Sequence, residues 1–122
     1  MNKSDAPVDL RSRTKQFALR VIYLYGALPN SSLAQVLGKQ LLRCGTSVGA
    51  HYRESVRARS NAEFISKLEV GLQEFEEAAY WLELLAEAEV FMPEKLKDLQ
   101  DESNQLVAIL VPCVKNAKRK EE

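Results

Sequence analysis

The stretch Gln40–Leu85, QLLRCGTSVGAHYRESVRARSNAEFISKLEVGLQEFEEAAYWLELL, decides the architecture of this chain. It holds two apolar patterns of helical period, divided by one punctuation mark. Before the mark, Leu37, Leu41, Cys44, Val48, His51 and Ser55 recur at three- and four-residue spacing, which places them on one helical face. After it, Phe64, Ile65, Leu68, Gly71, Leu72, Phe75, Ala78, Ala79, Leu82, Leu85 and Ala86 do the same. The mark is Ser60-Asn61-Ala62-Glu63. A Ser hydroxyl accepts the backbone N–H three residues on, and a Glu there reaches back to the N–H of the Ser. The spacing predicts helices over about 32–57 and 61–88.

Working outward, Leu10, Phe17 and Leu24, with Thr14, Val21 and Leu28, repeat at heptad spacing and predict a helix over about 9–27. Leu28-Pro29-Asn30 stops it, and Asn30 or Ser31 is suited to cap the next helix. Phe91-Met92-Pro93 makes the last break, with Pro93 fit for a first helical turn. Leu96, Ser103 and Leu110, with Leu99, Leu106 and Cys113, predict a fourth helix over about 93–117. Pro112 lacks a backbone donor and is expected to kink or end its last turn. The polar tail from Lys115 to Glu122 is expected to fray. Four amphipathic helices with short connections predict an all-α, up-down-up-down antiparallel four-helix bundle, one domain over residues 1–122.

Composition agrees. The 122 residues are 46% hydrophobic and 28% charged, with few Gly and Pro, an ordinary globular balance. No segment has the apolar length of a membrane span. The opening MNKSDAPVDLRSRTK has no apolar core and so does not read as a secretory leader. Cys44 and Cys113 sit in apolar helical patterns and are expected as reduced thiols of a cytoplasmic protein.

The zero net charge hides a strong asymmetry. Residues 1–60 hold ten Lys/Arg against three Asp/Glu, whereas residues 61–112 hold three against twelve. One basic and one acidic surface are expected. On the helix over 32–57, Lys39, Arg43, Arg53 and Arg57 lie opposite the core stripe, and Arg13 and Arg20 of the first helix are candidates to extend them. Such a row can track a nucleic-acid backbone. It can also be a solvated face, or pair with Glu69, Glu76, Glu83 and Glu87, and a match between unlike surfaces favours contacts that close into rings. No aromatic interleaving points to base stacking.

Two further features suit an oligomer interface. Gly38, Leu42, Gly45, Gly49, Tyr52 and Val56 form a stripe rich in glycine on the helix over 32–57. Each Gly costs about 1 kcal/mol of helix propensity relative to Ala, so close approach of another backbone is expected, from the third helix, with its small Gly71 and Ala78, or from another subunit. Val70, Trp81 and Leu84, with Val107, Val111 and Val114, form a second apolar row beside the core. His51 has only Glu54 as an acidic neighbour at helical spacing, and the cysteines lack metal-ligand spacing. No nucleophile, general base, phosphate loop or cofactor motif stands out. The expectation is a protein that is not an enzyme, without metal or cofactor.

The same residues carry a resemblance. Gln40, Leu41, Arg43, Ser47, Val48, Gly49, Ala50, Tyr52, Arg53 and Glu54, then Ser60, Phe64, Lys67 and Leu68, then Tyr80, Trp81 and Leu82 resemble the four-helix bundle family named for the 23S rRNA intervening sequence. The accessory protein of diversity-generating retroelements is a relative. One departure is His51, where the family often carries Asn. The resemblance implies a bacterial cytoplasmic protein that forms a ring, commonly a homopentamer, and associates with RNA or DNA, a ribonucleoprotein or a reverse-transcriptase partner. Taken together, the expected function is a non-enzymatic accessory factor with phosphate contacts from Arg13, Arg20, Lys39, Arg43, Arg53 and Arg57. Gly45, Gly49, Tyr52, Trp81, Leu84, Val107 and Val111 are the expected interface. The alternative is a homo-oligomeric protein scaffold without nucleic-acid binding.

Overall fold

The computed structural model describes residues 9–121; the sequence reading of residues 1–8 lies outside them. Four helices account for nearly all of the described chain: α1 Leu10–Ala27, α2 Ser32–Val56, α3 Asn61–Glu87 and α4 Pro93–Arg119. Each packs against its two neighbours around the bundle, α1 on α2 and α4, α3 on α2 and α4. This is the antiparallel four-helix bundle expected from the periodicity. Across the diagonal, the Phe17 and Phe75 rings meet edge to face with centroids 5.4 Å apart. Leu41, Leu68, Leu82, Leu85, Leu96 and Leu106 complete the fully buried centre.

The helix ends follow local chemistry. The Asp9 carboxylate accepts the N–H of Ser12 at 3.0 Å, and the Ser31 hydroxyl accepts that of Ala34 at 3.1 Å. Ser60 accepts the N–H of Glu63 at 3.1 Å, as the capping motif predicts. Glu63, however, reaches back to the N–H of Arg59 at 3.1 Å rather than to Ser60. At the end of α3, Val90 donates to the Leu85 carbonyl and Glu89 to that of Ala86. This closure needs a left-handed residue, and Glu89 supplies it at φ 57°.

At the fourth helix, an end at Pro112 and a frayed tail are both corrected. Pro112 lies inside α4, which runs on to Arg119. Pro112 and Ala108 are both exposed, so water can satisfy the carbonyl left without its helical donor. Residues 115–119 are accordingly helical, and Ala117 is buried. The side chain of Asn61 donates to the Ala117 carbonyl at 2.7 Å and ties this end to the start of α3.

The glycine stripe is also resolved. Within the chain it meets α1 rather than α3. A methyl placed on Gly45 would lie 2.8 Å from Val21 Cγ2, and one on Gly49 would lie 3.2 Å from Thr14 Oγ1. Gly45 and Gly49 are buried within the chain, so they are removed from the expected interface. Their missing side chains let α1 lie close on α2, and that contact sets the seam described next.

A basic seam between α1 and α2

Because α1 and α2 are antiparallel, the start of α1 lies beside the end of α2. Arg11 and Lys15, one turn apart on α1, therefore meet Arg53 and Arg57, one turn apart on α2. Three adjoining depressions connect them. Arg11, Tyr52, Arg53, Val56 and Arg57 line a pocket of about 130 Å³. Lys15 and Arg53 flank a second depression of about 290 Å³, whose wall is made shallow by Ala18, Gly49 and Ala50. Asp9, Arg11, Lys15 and Arg53 share a third. Arg53 stands where all three meet.

No carboxylate of the described residues lies within 4.0 Å of Arg11, Lys15, Arg53 or Arg57. The nearest acidic neighbours in sequence are engaged elsewhere: the Asp9 carboxylate caps α1, and Glu54, next to Arg53, pairs with Lys67 at 2.9 Å. Four cations without a close counter-charge form a region of positive potential that favours anions. Tyr52 is half-buried beside them, and burial pushes its phenol above the ordinary value, with smaller contributions from Cys113 and Asp9.

The other expected phosphate contacts go elsewhere. Arg13 turns to α4, where its guanidinium grips Glu102 with two bonds of 2.6 and 3.2 Å and reaches Gln105 at 3.3 Å. Arg20, two turns further along the same face of α1, is exposed and outside the seam. Arg43 leans to α3, 3.0 Å from Glu77 and 3.8 Å from Glu74; its hydrogen bond to Glu77 raises its pKa above the ordinary value. Lys39 is exposed on the same side of α2 as Arg53 and Arg57, but roughly 21 Å from Arg53 along the helix axis at 1.5 Å per residue. Only Arg53 and Arg57 of the six are brought together. Arg11 and Lys15 were missed, although their four-residue spacing with the small Ala18 just beyond marks a face of α1 suited to lie beside α2.

Within the chain, Glu69 and Glu83 do not pair with the basic row. Glu69 pairs with Lys118 of α4 at 3.3 Å, and Glu83 lines a groove between α3 and α4 with Glu94 and Asp101. The carboxylates that do face α2 are Glu74 and Glu77. With Cys44 they bring three possible metal donor atoms within 4.8 Å of one another. Arg43 already pairs with both carboxylates there, at 3.0 Å from Glu77 and 3.8 Å from Glu74, and the Cys44 thiol donates to the Gln40 carbonyl at 3.1 Å. Burial, with help from Glu74, pushes that thiol up to about 11, so it stays protonated at neutral pH. His51 lies 3.9 Å from Glu54, but Glu54 is held more closely by Lys67 at 2.9 Å.

The second apolar row divides between two edges. Trp81 and Leu84 follow Glu74 and Glu77 by whole turns and lie on the α2 side of α3. Val107 and Val111 follow Gln100 and Asn104, which line the α3–α4 groove. Trp81, Leu84 and Val107 pack against the core of their own chain, and Val114 is buried in it. The most exposed large apolar residues are different ones: Ile22, Tyr23, Leu33, Val36, Tyr80 and Met92, and, in the pocket, Val56. Apart from Val56, they lie towards the end of the bundle that carries the 28–31 and 88–92 connections.

The architecture is a helical bundle with a basic seam at one end, and the comparisons place it among known proteins. The sequence profile of the 23S rRNA-intervening sequence protein family matches residues 8–111. The chain belongs to that family. It is similar to the crystal structure of a protein of unknown function from the S23 ribosomal protein family of Bacteroides thetaiotaomicron. The two share 38% identity and a TM-score of 0.82, over 87% of this chain and 98% of the other. No curated protein matches the sequence. Among the described residues, no helix is long and apolar enough to cross a membrane.

Proposed function

We propose that this protein is a non-enzymatic, cytoplasmic accessory factor that associates with nucleic acid or ribonucleoprotein through the α1–α2 seam. The observation that carries this reading is the convergence of Arg11, Lys15, Arg53 and Arg57 from two helices with no ion-pair partner among the described residues. Guanidinium groups grip phosphate oxygens with paired hydrogen bonds. Of the other basic side chains expected in this role, Arg13 and Arg43 are paired within the chain, and Arg20 and Lys39 lie apart from the seam. Membership of a family named for an rRNA insertion supports the same direction.

The test is binding of purified, nuclease-treated protein to labelled RNA and DNA across a salt series. Phosphate contacts predict an affinity that falls steeply with salt, and a slope that shallows by about one for each cation removed. Arg11→Glu with Arg53→Glu is expected to abolish binding while the fold and the oligomeric mass stay unchanged. Unchanged binding in that variant would sink the assignment of the seam.

A second reading, a homo-oligomeric scaffold, rests on a separate observation: Tyr23, Leu33, Val36 and Tyr80 are each more than half exposed. Side chains of this kind are enriched at subunit contacts. Mass measurement and nucleic-acid binding of a Val36→Lys variant set this scaffold reading against the first. A smaller particle that still binds nucleic acid would assign assembly and binding to different ends.

A further inference from the structure

The pocket among Arg11, Tyr52, Arg53, Val56 and Arg57 has a feature that phosphate binding does not need. Part of its lining is apolar. Val56 is 62% exposed and shares the lining with half-buried Tyr52. Arg11, Arg53 and Arg57 make up the rest of it. A phosphate alone would leave the Val56 methyl groups and the Tyr52 ring in water.

We propose that this pocket receives one unpaired base of a single-stranded nucleic acid, with the flanking phosphates held by Arg11, Arg53 and Arg57. This inference rests on the nucleic-acid reading above and narrows it to one substrate class. A base laid against Tyr52 and Val56 removes apolar surface of all three from water. Stacking on an aromatic side chain tolerates any base, because every base has a π face. Planar guanidinium groups serve both parts of the ligand, stacking on rings and bonding phosphates. Lys15, across the shallow wall made by Ala18, Gly49 and Ala50, is placed to meet the next phosphate along the strand. The pocket is small, at about 130 Å³, and suits a single base.

The alternative substrate is a duplex, and the physics sets the two apart. A duplex keeps its bases stacked inside and offers the seam only phosphates. Its charge density exceeds that of a single strand, so a purely electrostatic site favours the duplex. Preference for the single strand therefore requires a base contact.

The experiment titrates the full chain with labelled single-stranded RNA and DNA, with the matching duplexes, and with a single strand carrying abasic positions, all at one salt concentration. The expected result is that a single strand binds roughly tenfold tighter than its duplex, and that abasic positions remove this advantage. Tyr52→Leu and Val56→Ser are expected to weaken single-strand binding by a similar factor and to leave duplex binding unchanged. Val56 is exposed, so Val56→Ser keeps the test valid if Tyr52→Leu disturbs folding. Equal or tighter binding of the duplex, with Val56→Ser having no effect, would overturn the pocket and leave the phosphate seam standing. Absence of binding by any nucleic acid at low salt would overturn both.

Discussion

The two ends of the α1–α2 hairpin differ in a way that separates two kinds of surface. At one end the start of α1 and the end of α2 gather Arg11, Lys15, Arg53 and Arg57. At the other, the end of α1 and the start of α2 expose Ile22, Tyr23, Leu33 and Val36. The same pair of helices, held by the same glycine contact, is polar and cationic below and apolar above. A charge cluster repels a second copy of itself, whereas an apolar surface gains by meeting one. The difference teaches that binding and assembly need not compete for one face.

The largest expected effect comes from reversing the basic end. Arg53→Glu with Arg57→Glu should lower nucleic-acid affinity by at least a hundredfold at low salt, with an unchanged thermal midpoint in circular dichroism. If Lys39→Glu with Arg20→Glu were equally damaging, the comparison would break, because charge anywhere on the surface would then suffice. Next in size is the apolar end. Leu33→Lys with Val36→Lys should shift the sedimentation mass towards the single chain; a mass that does not move would place assembly elsewhere.

The contact that joins the two ends gives a smaller, signed effect. Gly45→Ala gains helix propensity but presses a methyl into Val21, which is fully buried. Overpacking outweighs the gain, and a net loss of about 1–2 kcal/mol is expected in denaturant unfolding. Gly26→Ala is the control, since nothing lies within 4 Å of the added methyl; it should stabilise the chain by up to about 1 kcal/mol. Arg13→Ala should cost about 1 kcal/mol through its paired bonds to Glu102 while leaving nucleic-acid binding intact.

The smallest effect depends on pH. Lys67 holds the Glu54 carboxyl below its ordinary value, through a hydrogen bond first and its charge second. A carboxyl lowered in the folded state adds stability that is present above its unfolded pKa and lost as pH falls through the folded one. The contribution should thus be whole above the usual glutamate range, near pH 4.3, and vanish on acidification. In Glu54→Gln, this part of the acid-induced decline in midpoint should be absent.

Much of this was legible in the chain itself. Leu68, Phe75, Leu82 and their partners announce a buried helical face by spacing alone, and Ser60 and Pro93 mark two helix starts through local bonding. Half of the capping box differs from the motif, because the Glu63 carboxylate accepts the N–H of Arg59 instead of that of Ser60. The seam was only half legible. Arg53 and Arg57 share a face of one helix, so periodicity finds them. Arg11 and Lys15 join them through a contact between helices, which periodicity along one helix does not contain.

The amino-acid sequence by itself determined the four helices, their apolar stripes and the family they belong to. Those depend on interactions between residues a few positions apart, where 3.6 residues per turn fixes who shares a face. The tertiary structure alone decided which charges remain available. Gly45 and Gly49 admit α1 so closely that Arg11 and Lys15 meet Arg53, while Glu102 captures Arg13 and Glu77 captures Arg43. Each of these depends on the rotation of one helix against another, and that rotation is set by packing across the bundle.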